Sequence, residues 1–175
     1  DVHMSRGLGD VYKRQNDLRD AFPNDATQTE DRDGDGYGDN AAGNQADAFP
    51  DDETQWADTD GDGYGDNLGG ENPDLFPANP DQWADADGDG YGDNTNGQDG
   101  DVFPEEGTQW ADTDRDGYGD NPDGYKADSC PTVNAFSSLD RYGCPDSDLD
   151  GYSNPDDNWT VDHGADALPN NPTQW

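Results

Sequence analysis

The residues able to do chemistry in this chain are aspartates at alternating positions. Asp31, Asp33 and Asp35 are followed by Gly36, Tyr37 and Asp39. The series recurs as Asp58, Asp60, Asp62, Gly63, Tyr64 and Asp66, and as Asp85, Asp87, Asp89, Gly90, Tyr91 and Asp93. It recurs again as Asp112, Asp114, Asp116, Gly117, Tyr118 and Asp120. A variant runs Asp146, Asp148, Asp150, Gly151 and Tyr152, with Asn154 where the others have their last Asp. Carboxylates on alternate residues of a tightly turning loop converge on one hard cation. The glycine permits the sharp bend, the carbonyl of the following Tyr points inward, and the last Asp coordinates directly or through water. Oxygen-only donors favour calcium, which accepts many flexible ligands, over magnesium, which demands a tight octahedron. Cys and His are almost absent from the runs, which argues against zinc.

The loop is not a complete EF-hand, which needs a bidentate Glu at its twelfth position and flanking helices. Here that position holds Ala42, Gly69, Asn96 or Asp123. Another carboxylate must close the coordination sphere. The candidates are Asp47, Asp74, Asp101 and Asp128, each eight residues beyond the last Asp of its loop, and Asp157 in the variant. A lone acidic run is as often a solvated surface loop. Four copies in one register, with glycine at the bend and arginine only at even positions (Arg32, Arg115), weigh against that reading.

The elements that must position these loops follow a strict period. Asp-x-Phe-Pro begins at Asp20, Asp47, Asp74 and Asp101 and returns as Asp-Ser-Cys-Pro at Asp128, every step being 27 residues. The period places Phe22, Phe49, Phe76 and Phe103 in one register, and Trp56, Trp83 and Trp110, each preceded by Gln, two residues before an acidic loop. Such a period marks repeat units that stack on their neighbours. The units run 16–46, 47–73, 74–100 and 101–127, followed by a variant Cys-containing unit at 128–165 and the start of another at 166–175. Residues 1–15 lack the acidic loop and read as a leader resembling sequencing-adapter read-through. The final unit stops before its acidic loop, so the chain is expected to be a piece of a longer protein. Gly, Pro, Asn and Asp interrupt almost every stretch, and no segment carries a helical or strand period over useful length. The expectation is an irregular, mostly coil and turn fold without a conventional core. Only short strand pieces or a helical turn near the Trp residues would relieve it, and the Trp and Phe residues would be packing anchors.

Composition agrees and excludes several functions. Of 175 residues, 43 are Asp or Glu and 8 are Lys or Arg, for a formal charge of −35, while apolar residues make up only 27%. That charge opposes binding to nucleic acid or anionic membranes, and no apolar run approaches a membrane span. Taken alone, the numbers describe a disordered acidic polymer. One Phe, one Trp and one Tyr per unit do not offset the entropy of ordering 27 residues. Folding is therefore expected to be linked to calcium, with at least one ion per unit. No catalytic constellation is present, since His3 lies in the leader and His163 stands alone, so the chain is not expected to be an enzyme.

The series Asp-x-Asp-x-Asp-Gly-x-Gly-Asp, followed by Asp-x-Cys-Pro, resembles thrombospondin type 3 repeats over residues 20–175. The likeness is closest at Asp112–Asp120 with Asp128-Ser-Cys130-Pro131, and at Cys144-Pro-Asp146-Ser-Asp148-Leu-Asp150-Gly151. The family implies extracellular calcium-binding units wound without a core around a line of ions, with two ions per unit. This sequence departs from it in carrying Phe where the family has Cys, and in five extra residues before the closing Asp. Cys130 and Cys144, each followed by Pro, look like one disulfide; with the resemblance they suggest an oxidising, extracellular setting, secreted or at the cell surface. A free pair of thiols in the cytosol is the alternative. Asn158-Trp-Thr160 is a formal N-glycosylation sequon, and Thr27, Thr54, Thr108 and Thr173 are candidate O-linked sites. The expected role is a calcium-stiffened rod, stalk or filament that self-associates or meets other surface or matrix components. The alternatives are a calcium-dependent adhesive or glycan-binding module built on the Trp residues, and a polyanionic calcium buffer.

Overall fold

A computed structural model describes residues 20–175. The expected leader, 1–15, and the first residues of the unit beginning at 16 lie outside the described residues. Among the described residues the only helical element is a 3-10 turn at Val161–His163, and pairing is limited to isolated bridges such as Gly38 with Ala46 and Gly65 with Pro73. The turn follows Trp159 and ends at Gly164, whose φ of 111° stops further winding. The irregular fold expected from the sequence is therefore observed. The chain divides into two compact units, Asp1–Trp83 and Ala84–Trp175.

What is buried inverts the usual pattern. Among the described residues the buried apolar ones are Ala135, Cys144 and Ala165, whereas Gln28, Gln55, Gln82 and Gln109 are at most 2% exposed. Glutamine is normally a surface residue. Here its amide staples two stretches of chain that have no ladder to join them. The Gln55 Nε2 donates to the carbonyls of Asn67 (3.0 Å) and Glu71 (3.1 Å), and its Oε1 accepts from the Asn67 N–H (3.0 Å). Gln28 makes the same three bonds to Asn40 and Asn44, and Gln109 to Asn121 and Tyr125. A Cβ at Gly38, Gly65 or Gly119 would overlap the Gln28, Gln55 or Gln109 side chain, so glycine is required at each. The preceding threonines complete the staple. The hydroxyls of Thr27, Thr54 and Thr108 accept the N–H of Asn44, Glu71 and Tyr125 at 2.8 Å and donate to Asp25, Asp52 and Glu106.

Aromatic pairs join consecutive 27-residue stretches within each unit. In the first unit Tyr37 stacks on Trp56 with centroids 5.2 Å apart, and Tyr64 on Trp83 at 4.9 Å, both within 3° of parallel. In the second, Tyr91 stacks on Trp110 and Tyr152 on Trp175 at 5.0 Å. Tyr118 meets Tyr142 at 40° instead, because the Cys-containing insertion displaces the Trp register. The Tyr of one acidic loop thus packs on the Trp that introduces the next. The Phe residues stand beside these stacks, Phe49 lining one hollow with Tyr64, and Phe103 another with Tyr118.

The turns of the acidic loops require left-handed backbone. Gly34, Gly61 and Gly88 occupy the fourth loop position with φ between 81° and 87°. Arg115 and Leu149 hold the equivalent places with φ of 65° and 63°, which costs a residue with a Cβ roughly 1–2 kcal/mol. Leu149 is also 74% exposed, so its side chain returns little. Leu149→Gly should raise stability by about 1 kcal/mol, read from the denaturant midpoint in saturating calcium; an unchanged or lower midpoint would contradict the assignment of strain.

Candidate cation sites

In each acidic loop three carboxylates converge. Asp31, Asp33 and Asp35 bring one oxygen each within 4.8 Å of the others, as do Asp58, Asp60 and Asp62; Asp85, Asp87 and Asp89; Asp112, Asp114 and Asp116; and Asp146, Asp148 and Asp150. The first Asp shapes the loop. In the first copy Asp31 accepts the Gly34 N–H on Oδ1 (2.7 Å) and the Gly36 N–H on Oδ2 (3.2 Å), and Asp146 does the same for Leu149 and Gly151. The Asp33 Oδ1 accepts the Asp35 N–H, and the Asp35 Oδ1 accepts the Tyr37 N–H at 2.7 Å. The tyrosines Tyr37, Tyr64, Tyr91, Tyr118 and Tyr152 are held the same way by the Asp two residues earlier, and their rings turn to the stacks described above.

The closing aspartates lie against these loops. Asp47, Asp74, Asp101 and Asp128 are between 0 and 6% exposed. Each turns Oδ1 to the N–H two residues on, at 2.7 Å, in Phe49, Phe76, Phe103 and Cys130. Every buried side-chain polar atom without a hydrogen-bond partner among the described residues is an aspartate oxygen. In the first site these are Oδ2 of Asp33, Asp35, Asp39 and Asp47; in the second, Oδ2 of Asp60, Asp62 and Asp74. In the fourth they include both oxygens of Asp114 and Oδ2 of Asp128. Buried oxygens left without a donor are costly, and carboxylates gathered in this way are placed to hold a cation. The donor set is oxygen throughout, which suits a hard ion.

The electrostatics agree. Burial pushes the carboxyls of Asp47, Asp74 and Asp101 above the ordinary range; the backbone N–H each accepts works the other way, and the loop carboxylates facing them add to the rise. Asp128 is raised to about 6 by burial, with Asp116, Asp114 and Asp120 contributing. A carboxyl raised on folding stabilises the metal-free fold below its unfolded value near 3.8, and that support is lost as pH rises through about 6. The metal-free chain should therefore be more compact at pH 4 than at pH 7. Protons compete with the ion for the same oxygens, so bound calcium should be released as pH falls through that range. Scattering of metal-stripped protein from pH 4 to 8, with and without calcium, checks both; compaction with rising pH in the metal-free chain would contradict the charge assignment.

Asp157, the sequence candidate in the variant loop, and Asp166 differ in exposure. Asp157 is exposed. Asp166, not singled out from sequence, is 0% exposed, bonds the Leu168 N–H through Oδ1 and leaves Oδ2 without a partner. Its charge raises the carboxyl of Asp148, after burial and the neighbouring Asp150. Asp166 begins the next Asp-x-Leu-Pro, so the register of that motif identifies it, four residues farther from its loop than the closing Asp of the uninterrupted units. The insertion is anchored by Asp140, which accepts from the Ser153 N–H and hydroxyl and from the Trp159 Nε1, and by Arg141, paired with Asp156 at 2.7 Å.

The last Asp of each loop also ties the loop's entry to its exit. The Asp66 Oδ1 accepts the Thr59 N–H and its Oδ2 the Thr59 hydroxyl, and Asp120 holds Thr113 alike. Asp39 and Asp93 accept the N–H of Arg32 and Ala86. Asn154 does this in the variant, accepting from the Ser147 N–H and donating Nδ2 to its hydroxyl. An amide fills this place because the position serves the loop's shape first.

Cys130 and Cys144 form a disulfide, with Cα atoms 5.2 Å apart. Among the described residues, no helix is long and apolar enough to cross a membrane. No protein-family model matches the chain, and no curated protein matches it. The features that define it are the five oxygen-lined clusters themselves, each placed to hold a metal ion.

Proposed function

We propose that this is an extracellular calcium-binding structural protein, in which ions held by the acidic loops and their closing aspartates replace a hydrophobic core. The observation that carries the reading is the set of buried carboxylate oxygens without partners, gathered at every acidic loop. Calcium suits them because the donors are all oxygen, and the carbonyls of Tyr37, Tyr64, Tyr91, Tyr118 and Tyr152 would supply a further oxygen in each loop. The likeness to thrombospondin type 3 repeats, carried by the same motifs, points the same way, and the disulfide fits an oxidising compartment. The 27-residue period, repeated with the same staple and stack, suits a stiffened stalk, spacer or filament whose units pack on nearest neighbours.

A glycan-binding reading would use the Trp residues as platforms. Their stacking on Tyr favours packing instead. Trp83→Ala separates the two. A packing Trp should lower the calcium-dependent melting temperature by several degrees. A platform Trp would leave melting unchanged and abolish retention on a glycan array.

A further inference from the structure

The fourth acidic loop differs from the others in what encloses it. Elsewhere the chain runs seven residues from the Phe of Asp-x-Phe-Pro to the stacking Trp, as from Phe49 to Trp56. Here it runs twelve, from Cys130 to Tyr142. The longer path folds back over the loop. Asn134 donates Nδ2 to the carbonyls of Asp114 (2.9 Å) and Arg115 (2.8 Å), and the Ala135 N–H reaches the Asp116 Oδ2 at 3.4 Å. Tyr142 pairs with Asp128 in an isolated bridge and packs on Tyr118. Gly143, at φ 71°, passes so close that a Cβ there would overlap the Asp128 Oδ1 and sit 2.9 Å from the Asp116 Oδ2. The path touches two carboxylates of the site and the main chain of a third, and its ends are joined by Cys130–Cys144. Cys130 itself is held by Asp128, whose other oxygen is buried and without a partner.

We propose that the Cys130–Cys144 disulfide is a working part of the fourth cation site, so that its oxidation state sets that site's calcium affinity while the sites at Asp31, Asp58 and Asp85 are indifferent to it. The inference rests on the calcium reading above. The coupling is entropic. With the disulfide closed, residues 131–143 are confined where Asn134, Ala135 and Gly143 fix Asp114, Asp116 and Asp128. When a dithiol reductant exchanges with the bond, it passes two electrons and two protons to Cys130 and Cys144, which become thiols, while the dithiol closes to its own disulfide. The loop then has to be ordered by the ion alone. Closing a loop of this length corresponds to as much as about 100-fold in an equilibrium constant, so the fourth site should weaken by roughly 10–100-fold.

The test is a calcium titration of the full chain, oxidised and after reduction and alkylation, followed by NMR at the amides of Gly36, Gly63, Gly90 and Gly117, one in each of the first four sites. Reduction should move the Gly117 midpoint to roughly 10–100-fold higher calcium and leave the other three in place. If Gly117 does not move, or all four move together, the inference is overturned while the calcium reading stands. If no glycine responds in the oxidised chain, both fail. Asn134→Ala, which keeps the disulfide and removes two bonds from the enclosing path, should weaken Gly117's response alone; an unchanged Gly117 midpoint in that variant would also overturn the inference.

Discussion

Stripped of metal at neutral pH, the chain should expand to the dimensions of an unfolded polymer and lose its Tyr–Trp stacks, and millimolar calcium should restore both. The expectation follows from what the fold buries. Three loop carboxylates lie within 4.8 Å of one another at each of five places. At an effective dielectric of about 20, like charges some 4 Å apart repel by about 4 kcal/mol per pair. A buried closing aspartate adds a fourth charge, and the buried apolar side chains among the described residues, Ala135, Cys144 and Ala165, are too few to oppose this. With the ion in place the same carboxylates become attractive, and binding free energy becomes folding free energy. Small-angle scattering and Trp fluorescence in EDTA and then in calcium measure the effect. A compact radius that ignores EDTA would mean that something other than metal holds the chain.

Gln55→Ala should be the most damaging substitution outside the cation sites. It removes the buried amide that pairs with the Asn67 N–H and the carbonyls of Asn67 and Glu71. Each buried group left without its partner costs about 1–3 kcal/mol, so the loss should reach about 3 kcal/mol or more. Gly65→Ala attacks the staple from the other side, since its methyl group overlaps the Gln55 amide, and should cost about 1–3 kcal/mol as overpacking does. The two changes act on one volume. The double variant should lose less than the sum, because truncating the Gln55 side chain makes room for the methyl group added at Gly65. Denaturant unfolding in saturating calcium measures all three, and strict additivity would show that Gly65 and Gln55 do not touch.

Much of this was legible in the sequence, and the gaps have physical causes. The acidic loops and their closing aspartates declare themselves because one bond geometry is written out repeatedly: alternating carboxylates, glycine at the bend, and an Asp at a fixed distance. The lack of regular secondary structure follows from the density of Gly, Asn and Asp. Gln28, Gln55, Gln82 and Gln109 escape a sequence reading because an amide before a Trp, or before Thr29 in the first copy, reads as surface. The signal is the pair of glycines in the same register, Gly38 and Gly43 in one unit and Gly65 and Gly70 in the next, which only a close-approaching side chain explains. The stacking of Tyr37, Tyr64 and Tyr91 on the following Trp is hidden because the two rings lie nineteen residues apart with no regular element between them. Asp166 is obscured because the insertion shifts it, although its own Leu-Pro keeps the motif intact.

The formal charge of −35 takes on a different meaning in this light. It is concentrated at numbered positions, and five divalent ions would still leave about −25. The surface would therefore stay strongly anionic while the ions neutralise the clusters.

Counting bound calcium by native mass spectrometry tests the central claim most directly. At least five ions are expected on the chain, one for each acidic cluster, and one fewer when Asp60 and Asp62 are both replaced by Asn. Fewer than five ions, or a count that this double variant leaves unchanged, would contradict it.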